Sequence, residues 1–495
     1  MTAAVLENVA LLAEAPWGVA QLRRLVQDLA IVGRLIPGAQ ADRWPTLRLA
    51  DLVVSFQNGV SSRGESEGLP VTVLRLADIR NGRVAHDDLR QLTLDQSVIQ
   101  KYLLAAGDVL VIRVNGSADL VGRFIVCESS FGLYCDHFIR LRLDTARIDA
   151  RYLKLIGDCT ATRISIQGLF VSTAGQKTVN QTHIGSIAFS LPPLSEQHRI
   201  VAKVDELMTL CDRLEARQQD AEAAHARLVQ ALLDSLTQAR DADEFQACWQ
   251  RVAGQIGLIL TTDESVDAAK QAVLRLAFSG RLLGRDLGAA ADNPNALPAG
   301  WREVQIADIA AVGTGATPAR TNPAYFDPPE FHWVTSGETS SGLIDSTAQK
   351  VSALALAETN LSLYPPGTLL VAMYGQGKTR GQVSELAINA CTNQACAAIQ
   401  LKDSSPVHRQ YVKYFFEKSY DELRELAAGG AQPNLNLGKI KSTLIPLPAL
   451  EEQHRIVAKV TELLTLCDQL KARIAAARAK HAQLAGALAA QAVAA

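Results

Sequence analysis

Two stretches of the chain repeat their apolar positions in alternating steps of three and four. From Val204 these positions run Leu207, Cys211 and Leu214, then Ala221, Leu228 and Leu232. From Val460 they run Leu463, Cys467, Leu470, Ile474, Ala477, Leu484 and Leu488. This spacing predicts two amphipathic helices with heptad-like seams. Proline stands ahead of each start, at Pro192-Pro193 and at Pro446 and Pro448, where a helix can begin but cannot continue backward. Ser195-Glu196 and Glu451-Glu452 put acidic side chains in the first turn, where the helix dipole favours them. Each helix is expected to run about 40 residues, or roughly 60 Å at 1.5 Å per residue. A single amphipathic helix of that length needs a partner. Two in one chain most simply pack on each other, antiparallel, about a pseudo-two-fold axis; the alternative is that each pairs with another protein.

The two stretches are also nearly the same sequence. Leu191 to Arg217 aligns with Leu447 to Arg473 at an offset of 256 without a gap, and 21 of the 27 positions are identical. The segment from Glu196 to Val204 recurs unchanged from Glu452 to Val460. Upstream, Gln176, Asn180, Ile184 and Ser186 match Gln432, Asn436, Ile440 and Ser442. A second echo pairs Val26, Leu29, Ala30, Gly33, Arg34 and Leu35 with Val273, Leu276, Ala277, Gly280, Arg281 and Leu282. A period this long is a duplicated half, not a solenoid repeat. Each half reads as short helix, globular domain, long helix.

The globular regions, 44–190 and 301–446, differ more. The first holds short apolar runs at Val71 to Leu76, Val109 to Val114, Gly122 to Cys127 and Phe138 to Leu143; the second holds Leu369 to Met373 and Ala395 to Leu401. Short strands punctuated by Gly, Asn and Asp, with helices expected at Ala150 to Ile156 and Val407 to Ala428, indicate α+β domains. Gly107-Asp108-Val109-Leu110-Val111 resembles Gly367-Thr368-Leu369-Leu370-Val371, so the scaffolds look related while their loops have diverged. The fold class expected is α+β: two α/β domains separated by two long antiparallel, coiled-coil-like helices with a pseudo-two-fold internal repeat.

Composition narrows the function. At 495 residues, 48% hydrophobic and 20% charged, the chain has the make-up of a soluble protein of two to four domains. It holds no run of about 18 uncharged apolar residues that could span a membrane. Its start, Met1 to Glu7, has no basic region before an apolar core, so no secretory leader is expected and the expected location is cytoplasmic. The eight cysteines form no CxxC pair, and Cys391 and Cys396 have no histidine at zinc spacing, so they read as reduced core thiols and no metal site is expected. The net charge of −2 argues against a strongly basic nucleic-acid binder without excluding one. Residues 44–190 hold 16 basic and 14 acidic side chains, and 301–446 hold 12 and 13, so nucleic-acid binding would rest on local patches.

Two copies of a Pro-Leu-x-Glu-Gln-x-x-Ile-Val-x-Lys-Val helix, each following a variable domain, resemble the specificity subunit of type I restriction-modification enzymes. The resemblance covers nearly the whole chain. Gly313 to Arg320, Thr335 to Glu338 and Met373 to Gly381 are similar to one recurring class of its target-recognition domains, and Arg113-Val114-Asn115-Gly116-Ser117 is similar to a loop of others. It implies 1–43 as a helical lead-in, longer than in many members, 44–190 as recognition domain 1 and 191–240 as spacer helix 1. It implies 241–297 as a helical linker and second lead helix, 298–446 as recognition domain 2 and 447–495 as spacer helix 2. Each domain would read one half of a split site on double-stranded DNA. Two modification subunits would bring S-adenosylmethionine, and restriction subunits would bring ATP and Mg. The chain itself would hold no cofactor and do no chemistry.

Some motifs point elsewhere and fail on context. Ala372 to Thr379 fits a loosened P-loop, but Arg380-Gly381-Gln382 and a strand-like run follow where a phosphate-cradling helix should start. Asn322-Pro323-Ala324-Tyr325 is one residue from an amino-methyltransferase pocket, yet Gly313-Thr314-Gly315 is too near for a cofactor-binding strand–loop–helix, and a turn built on Asn-Pro is the better reading. His198 and His454 are expected to cap or pack the helix starts. Candidate DNA contacts are Asn58, Ser61, Ser62, Arg63, Arg113, Asn115, Ser117, Gln176 and Lys177 in the first domain. In the second they are Thr317, Arg320, Asn322, Tyr374, Gln376, Lys378, Arg380, Gln432 and Asn434. Arg and Lys suit guanine edges and phosphates, Asn and Gln suit adenine, and Ser and Thr suit phosphate. Asn180 and Asn436 recur in both halves, which suits a scaffold turn.

Overall fold

The computed structural model describes residues 13, 17–61, 68–80, 82–85, 87, 89–130, 132–173, 175–239, 241–283, 297–375, 378–428 and 435–494. The chain divides into two compact units, one of Met1–Ala221 with Ala477–Ala495 and one of Glu222–Ala476. Each holds one mixed α/β head. Two helices of 45 residues, Leu194–Gln238 and Leu450–Ala494, follow the heads. The first starts in the first unit and ends in the second; the other starts in the second and ends in the first.

In the first head the central sheet runs Val53–Asn58, Phe138–Leu143, Val109–Ile112, Phe124–Val126, all antiparallel. The second head repeats it as Ala310–Thr314, Cys396–Leu401, Leu369–Ala372, Val383–Leu386, and adds Leu343–Ile344 in parallel at the edge. All four residues of Val109–Ile112 and of Leu369–Ala372 are buried, which explains why these runs are apolar throughout instead of alternating. A smaller sheet also repeats. Leu69–Leu74 lies between Leu133–Tyr134, parallel, and Arg90–Leu94, antiparallel. Phe331–Val334 lies likewise between Ala390–Thr392 and Gln349–Val351. The expected scaffold relation is therefore met in the four strands common to the central sheets and in the three of the smaller sheet.

Two helices follow each central sheet: Ala150–Asp158 and Thr160–Gly168 in the first head, Pro406–Lys418 and Tyr420–Ala428 in the second. The single helix expected over Val407 to Ala428 is thus broken at Ser419. Pro406–Lys418 buries Tyr411, Val412, Phe415 and Phe416 in the core, and the break turns the next helix in a new direction. Asn180 and Asn436 do set scaffold turns. Each side chain caps a short helix, accepting the N–H of His183 at 2.8 Å and of Lys439 at 2.9 Å.

The short lead helices, Gly18–Ile31 and Asp263–Phe278, end alike. Gly33 and Gly280 sit at φ 73° and 75°, and the next N–H, of Arg34 and of Arg281, returns to Leu29 and Leu276. This left-handed stop explains why Gly-Arg-Leu recurs in the sequence. Each lead helix is tied to a long helix by ion pairs: Arg23 to Asp212 and Glu215 in the first unit, Lys270 to Asp468 and Lys471 to Asp267 in the second.

The long helices bury what the sequence pattern expects at first, then depart from it. Val204, Leu207 and Cys211 are buried in the first unit's core, which also takes in Ala485. Beyond that point Leu228 is half-exposed and Val229 is buried, and in the second copy Leu484 is exposed and Ala485 is buried. The heptad seam slips by one residue at the same place in both. Val229 lies eighteen residues beyond Cys211, and Ala485 eighteen beyond Cys467, which is five turns at about 3.6 residues each. Burial therefore follows the 3.6-residue period of a plain helix and not the 3.5-residue period of a heptad seam. Between the two burial zones, residues 219–224 and 475–480 are exposed.

The helix starts are locked by the glutamine of the repeat, not by its histidine. Gln197 is fully buried; its Nε2 donates to the carbonyls of Arg147 (2.9 Å) and Pro192 (2.8 Å), and its Oε1 accepts the Asp149 N–H (2.8 Å). Gln453 donates to the Pro448 carbonyl (3.0 Å) and its Oε1 lies 3.0 Å from Nδ1 of His408. His198 and His454 are exposed, against the capping or packing role expected of them, and His198 Nε2 lies 3.7 Å from a carboxylate oxygen of Asp149. Gln197→Ala leaves a buried N–H and two buried carbonyls without partners, and should lower the stability of the first unit by about 1–3 kcal/mol in urea unfolding.

Candidate nucleic-acid interface

In the first head, residues 113–123 form a hairpin between Val109–Ile112 and Phe124–Val126. Its base is closed by Gly122 N–H to the Ile112 carbonyl (2.8 Å) and Ile112 N–H to the Arg123 carbonyl (3.1 Å). In the second head, residues 373–382 join Leu369–Ala372 to Val383–Leu386. Gly381 N–H bonds the Ala372 carbonyl and Ala372 N–H bonds the Gln382 carbonyl, both at 2.9 Å. Gly122 and Gly381 hold φ of 75° and 86°, the region glycine adopts without strain. The two closures are the same, and the tips differ in sequence.

Most of the first head's candidates gather around its hairpin. Arg113, Asn115 and Ser117 stand on it. The Asn115 side chain accepts the Ser117 N–H at 2.8 Å, fixing the turn, and Asn115 pairs with Lys177 across a three-stranded sheet. Lys177 Nζ donates to the Gly116 carbonyl at 3.2 Å, and Gln176 is exposed beside it. Arg113 Nη1 donates to the Asp136 carbonyl at 3.3 Å, and its N–H bonds the His137 carbonyl at 2.7 Å. The turn at Asp136 in turn bonds Val60, its N–H reaching the Val60 carbonyl at 3.0 Å, which brings Asn58 and the exposed Ser61 to the same edge. Asn58 accepts from Gln181 Nε2 at 3.0 Å. Ser62 and Arg63 lie outside the described residues.

In the second head Tyr374, Lys378 and Arg380 stand on the hairpin; Tyr374 and Lys378 are exposed and Arg380 is half-buried. Thr317 joins them through Gln394: its hydroxyl donates to Gln394 Oε1, and the neighbouring Ala395 carbonyl accepts the N–H of Met373 (2.7 Å). Arg320 is exposed in the next turn. Asn322 spends its side-chain oxygen on the Ala324 N–H (3.2 Å), at the head of a single 3-10 turn, so the Asn-Pro-Ala-Tyr segment is a turn as expected. After Lys378-Thr379 the chain enters Val383–Leu386, antiparallel to the strand before it, and not the helix that a P-loop requires at this point. Gln376, Gln432 and Asn434 lie outside the described residues.

Sequence reasoning missed Asp136, His137, Gln181 and Gln394, polar groups with no motif of their own that long-range pairing delivers to the hairpins. Cys135, Asp136 and His137 bring their ligating atoms within 4.8 Å, the one group of this kind among the described residues. Burial pushes the Cys135 thiol up, and the Arg113 guanidinium bonds the same turn.

Residues 78–223 and 298–477 match the family described as type I restriction modification DNA specificity domain. The chain belongs to that family. It is 37% identical over 219 residues to the type I restriction enzyme StySPI specificity subunit of Salmonella potsdam, covering 43% of this chain and 47% of the relative. It is 25% identical over 370 residues to the EcoEI specificity subunit of Escherichia coli, covering 65% and 61%. With these two the chain shares less than two thirds of their length. The EcoAI specificity subunit of Escherichia coli is 25% identical over an alignment of 567 positions covering 95% and 93%. Among solved structures, a chain from work on complex assembly and conformational transition of the type I R-M system shares the fold, with a TM-score of 0.56 at 17% identity over 91% of this chain and 97% of that one.

On this interface Lys378→Ala should weaken binding to all duplexes alike and lower the slope of log affinity against log salt by about 1. Arg320→Ala should instead cost about 1–3 kcal/mol at a single base-pair position. Competition binding with singly substituted duplexes separates the two outcomes.

Proposed function

We propose that this chain is the DNA-specificity subunit of a type I restriction-modification complex and recognises a bipartite site, one half per head. The observation that carries this reading is the pair of hairpins: equivalent strands and backbone closures present different tips, Arg113-Val114-Asn115-Gly116-Ser117 in one head and Tyr374 with Lys378 and Arg380 in the other. A shared scaffold with diverged tips is what two different half-sites require. The candidate residues Asn58, Ser61, Arg113, Asn115, Ser117, Gln176 and Lys177, and Thr317, Arg320, Tyr374, Lys378 and Arg380, supply the base- and phosphate-contacting types.

The chain reads and does not catalyse. Methyl transfer, ATP-driven motion and cleavage belong to two modification subunits and to restriction subunits, with S-adenosylmethionine, ATP and Mg. Two equal docking faces support a pair of identical partners: His198, Arg199, Ala202 and Leu210 are exposed on the first helix, and His454, Arg455, Ala458 and Leu466 on the second. An exposed leucine in the same place on each, 49% and 53%, suits burial by a partner. Among the described residues no helix is long and apolar enough to cross a membrane, and the complex acts on DNA in the cytoplasm.

Methylome sequencing of a host carrying the intact system should report one two-part adenine-methylated motif with an unread spacer. A contiguous motif, or none that disappears on deleting this chain, would sink the reading. Inserting four residues in each exposed stretch, 219–224 and 475–480, should lengthen the spacer by nearly two base pairs, from about 6 Å of helix against about 3.4 Å per base pair. Persistent binding with an unchanged spacer would refute the helices as ruler.

A further inference from the structure

We propose that Arg163 and Arg424 are positioning residues for DNA reading, each clamping the backbone of its head's hairpin from the second of the two helices that follow the sheet. The inference rests on the reading of the hairpins as DNA contacts. Arg163 stands on Thr160–Gly168 and is 9% exposed. Its Nη2 donates to the carbonyls of Ala118 (3.3 Å), Asp119 (3.2 Å) and Val121 (3.0 Å). One guanidinium thus holds three carbonyls of the 113–123 hairpin.

The second head uses the corresponding helix, Tyr420–Ala428, for the same task. Arg424 Nη1 donates to the Arg380 carbonyl at 3.4 Å, and Tyr420 donates its hydroxyl to the Lys378 carbonyl at 2.6 Å. Arg424 also lies over the Tyr420 ring, 5.3 Å from its centroid, so the two side chains brace each other. Lys378 and Arg380 are the residues proposed to meet DNA, and their own carbonyls are the ones held.

The closing glycines show how tightly each hairpin lies on its helix. A Cβ on Gly122 would come within 2.4 Å of Ile166 and 3.5 Å of Arg163; one on Gly381 would come within 3.2 Å of the Tyr420 carbonyl and 3.6 Å of Arg424. Hairpin carbonyls are thus turned toward the helix that carries the arginine.

Stability alone does not call for this arrangement. Burial pulls Arg163 down to about 10, with the neighbouring Arg123 acting in the same direction, and its buried Nη1 has no hydrogen-bond partner among the described residues. A desolvated, incompletely satisfied cation is commonly replaced by apolar packing at no loss of stability. What an apolar side chain cannot do is bind three carbonyls at once and fix the hairpin before DNA arrives. Ordering the loop in advance removes an entropic cost from binding and sharpens the geometry on which base discrimination depends.

The test uses the full chain, alone and with its modification subunits, as Arg163→Met, Arg163→Lys, Arg424→Met and Arg424→Lys. Amide hydrogen exchange is read first, without DNA. Residues 113–123 should exchange about tenfold faster in R163M, and 378–382 in R424M, with the rest of each head unchanged. Unaltered exchange there overturns the clamp. Affinities are then measured for the motif that methylome sequencing reports and for duplexes changed at one base pair. R163M should reduce discrimination about tenfold at one half-site, R424M at the other, with lysine between and the salt slope unmoved. Full discrimination in both methionine variants, or equal loss at both half-sites, overturns the positioning role. If R163M does not fold, the half-exposed Arg424 carries both readouts. A wild-type chain without discrimination would overturn the reading of the hairpins as DNA contacts, and the exchange result would still decide the clamp.

Discussion

A ruler is useful only if it leaves the object it measures from at a fixed angle. Here that constraint is met by one buried side chain per half. Gln197 ties the first turn of its long helix to the Arg147–Asp149 segment, and Gln453 ties the other to the Pro406–Lys418 helix through His408. A carboxylate could accept but not donate, and an apolar residue could do neither, so glutamine meets both needs of the site. The flanking Ile200, Val204, Ile456 and Val460 then bury the helix against its head.

Several of these features could be read in the chain and others could not. The duplication, both long helices and the two capping asparagines were legible because each leaves a local mark: an apolar period, a proline before a start, Asn ahead of a short helix. The buried edge beyond Cys211 and Cys467 was not. Leu228 and Leu484 are better hydrophobes than Ala485, yet the plain 3.6-residue period puts Val229 and Ala485 inside. The break at Ser419 was hidden by an unbroken helical composition. In the interface, residue types pointed to the hairpins, but Asp136, His137 and Gln394 are delivered by pairing between distant strands. No spacing rule marks a carbonyl that an arginine far along the chain will hold.

The near-neutral heads fit the same division of labour. Many of their charges are spent internally: Asp108 holds Arg142, Asp158 holds Arg123 and Lys154, and Glu385 holds Arg409. These pairs brace strands and helices and leave little surplus field to attract phosphate at long range. On the proposed reading, recognition would rest on a few side chains placed by the fold, with bulk electrostatic grip left to the larger assembly.

The matched hairpin closures have a consequence for inheritance. Because Ile112–Gly122 and Ala372–Gly381 are stapled by the same backbone bonds, the tip between them is topologically a cassette. Apart from Val121 and Met373, its described side chains stand outside the buried cores, so drift there has little effect on folding. A crossover falling within the glycine-closed ends would graft a new tip onto an intact head. New half-site preferences could then arise by short gene conversions, on a scale far smaller than the exchange of a whole domain.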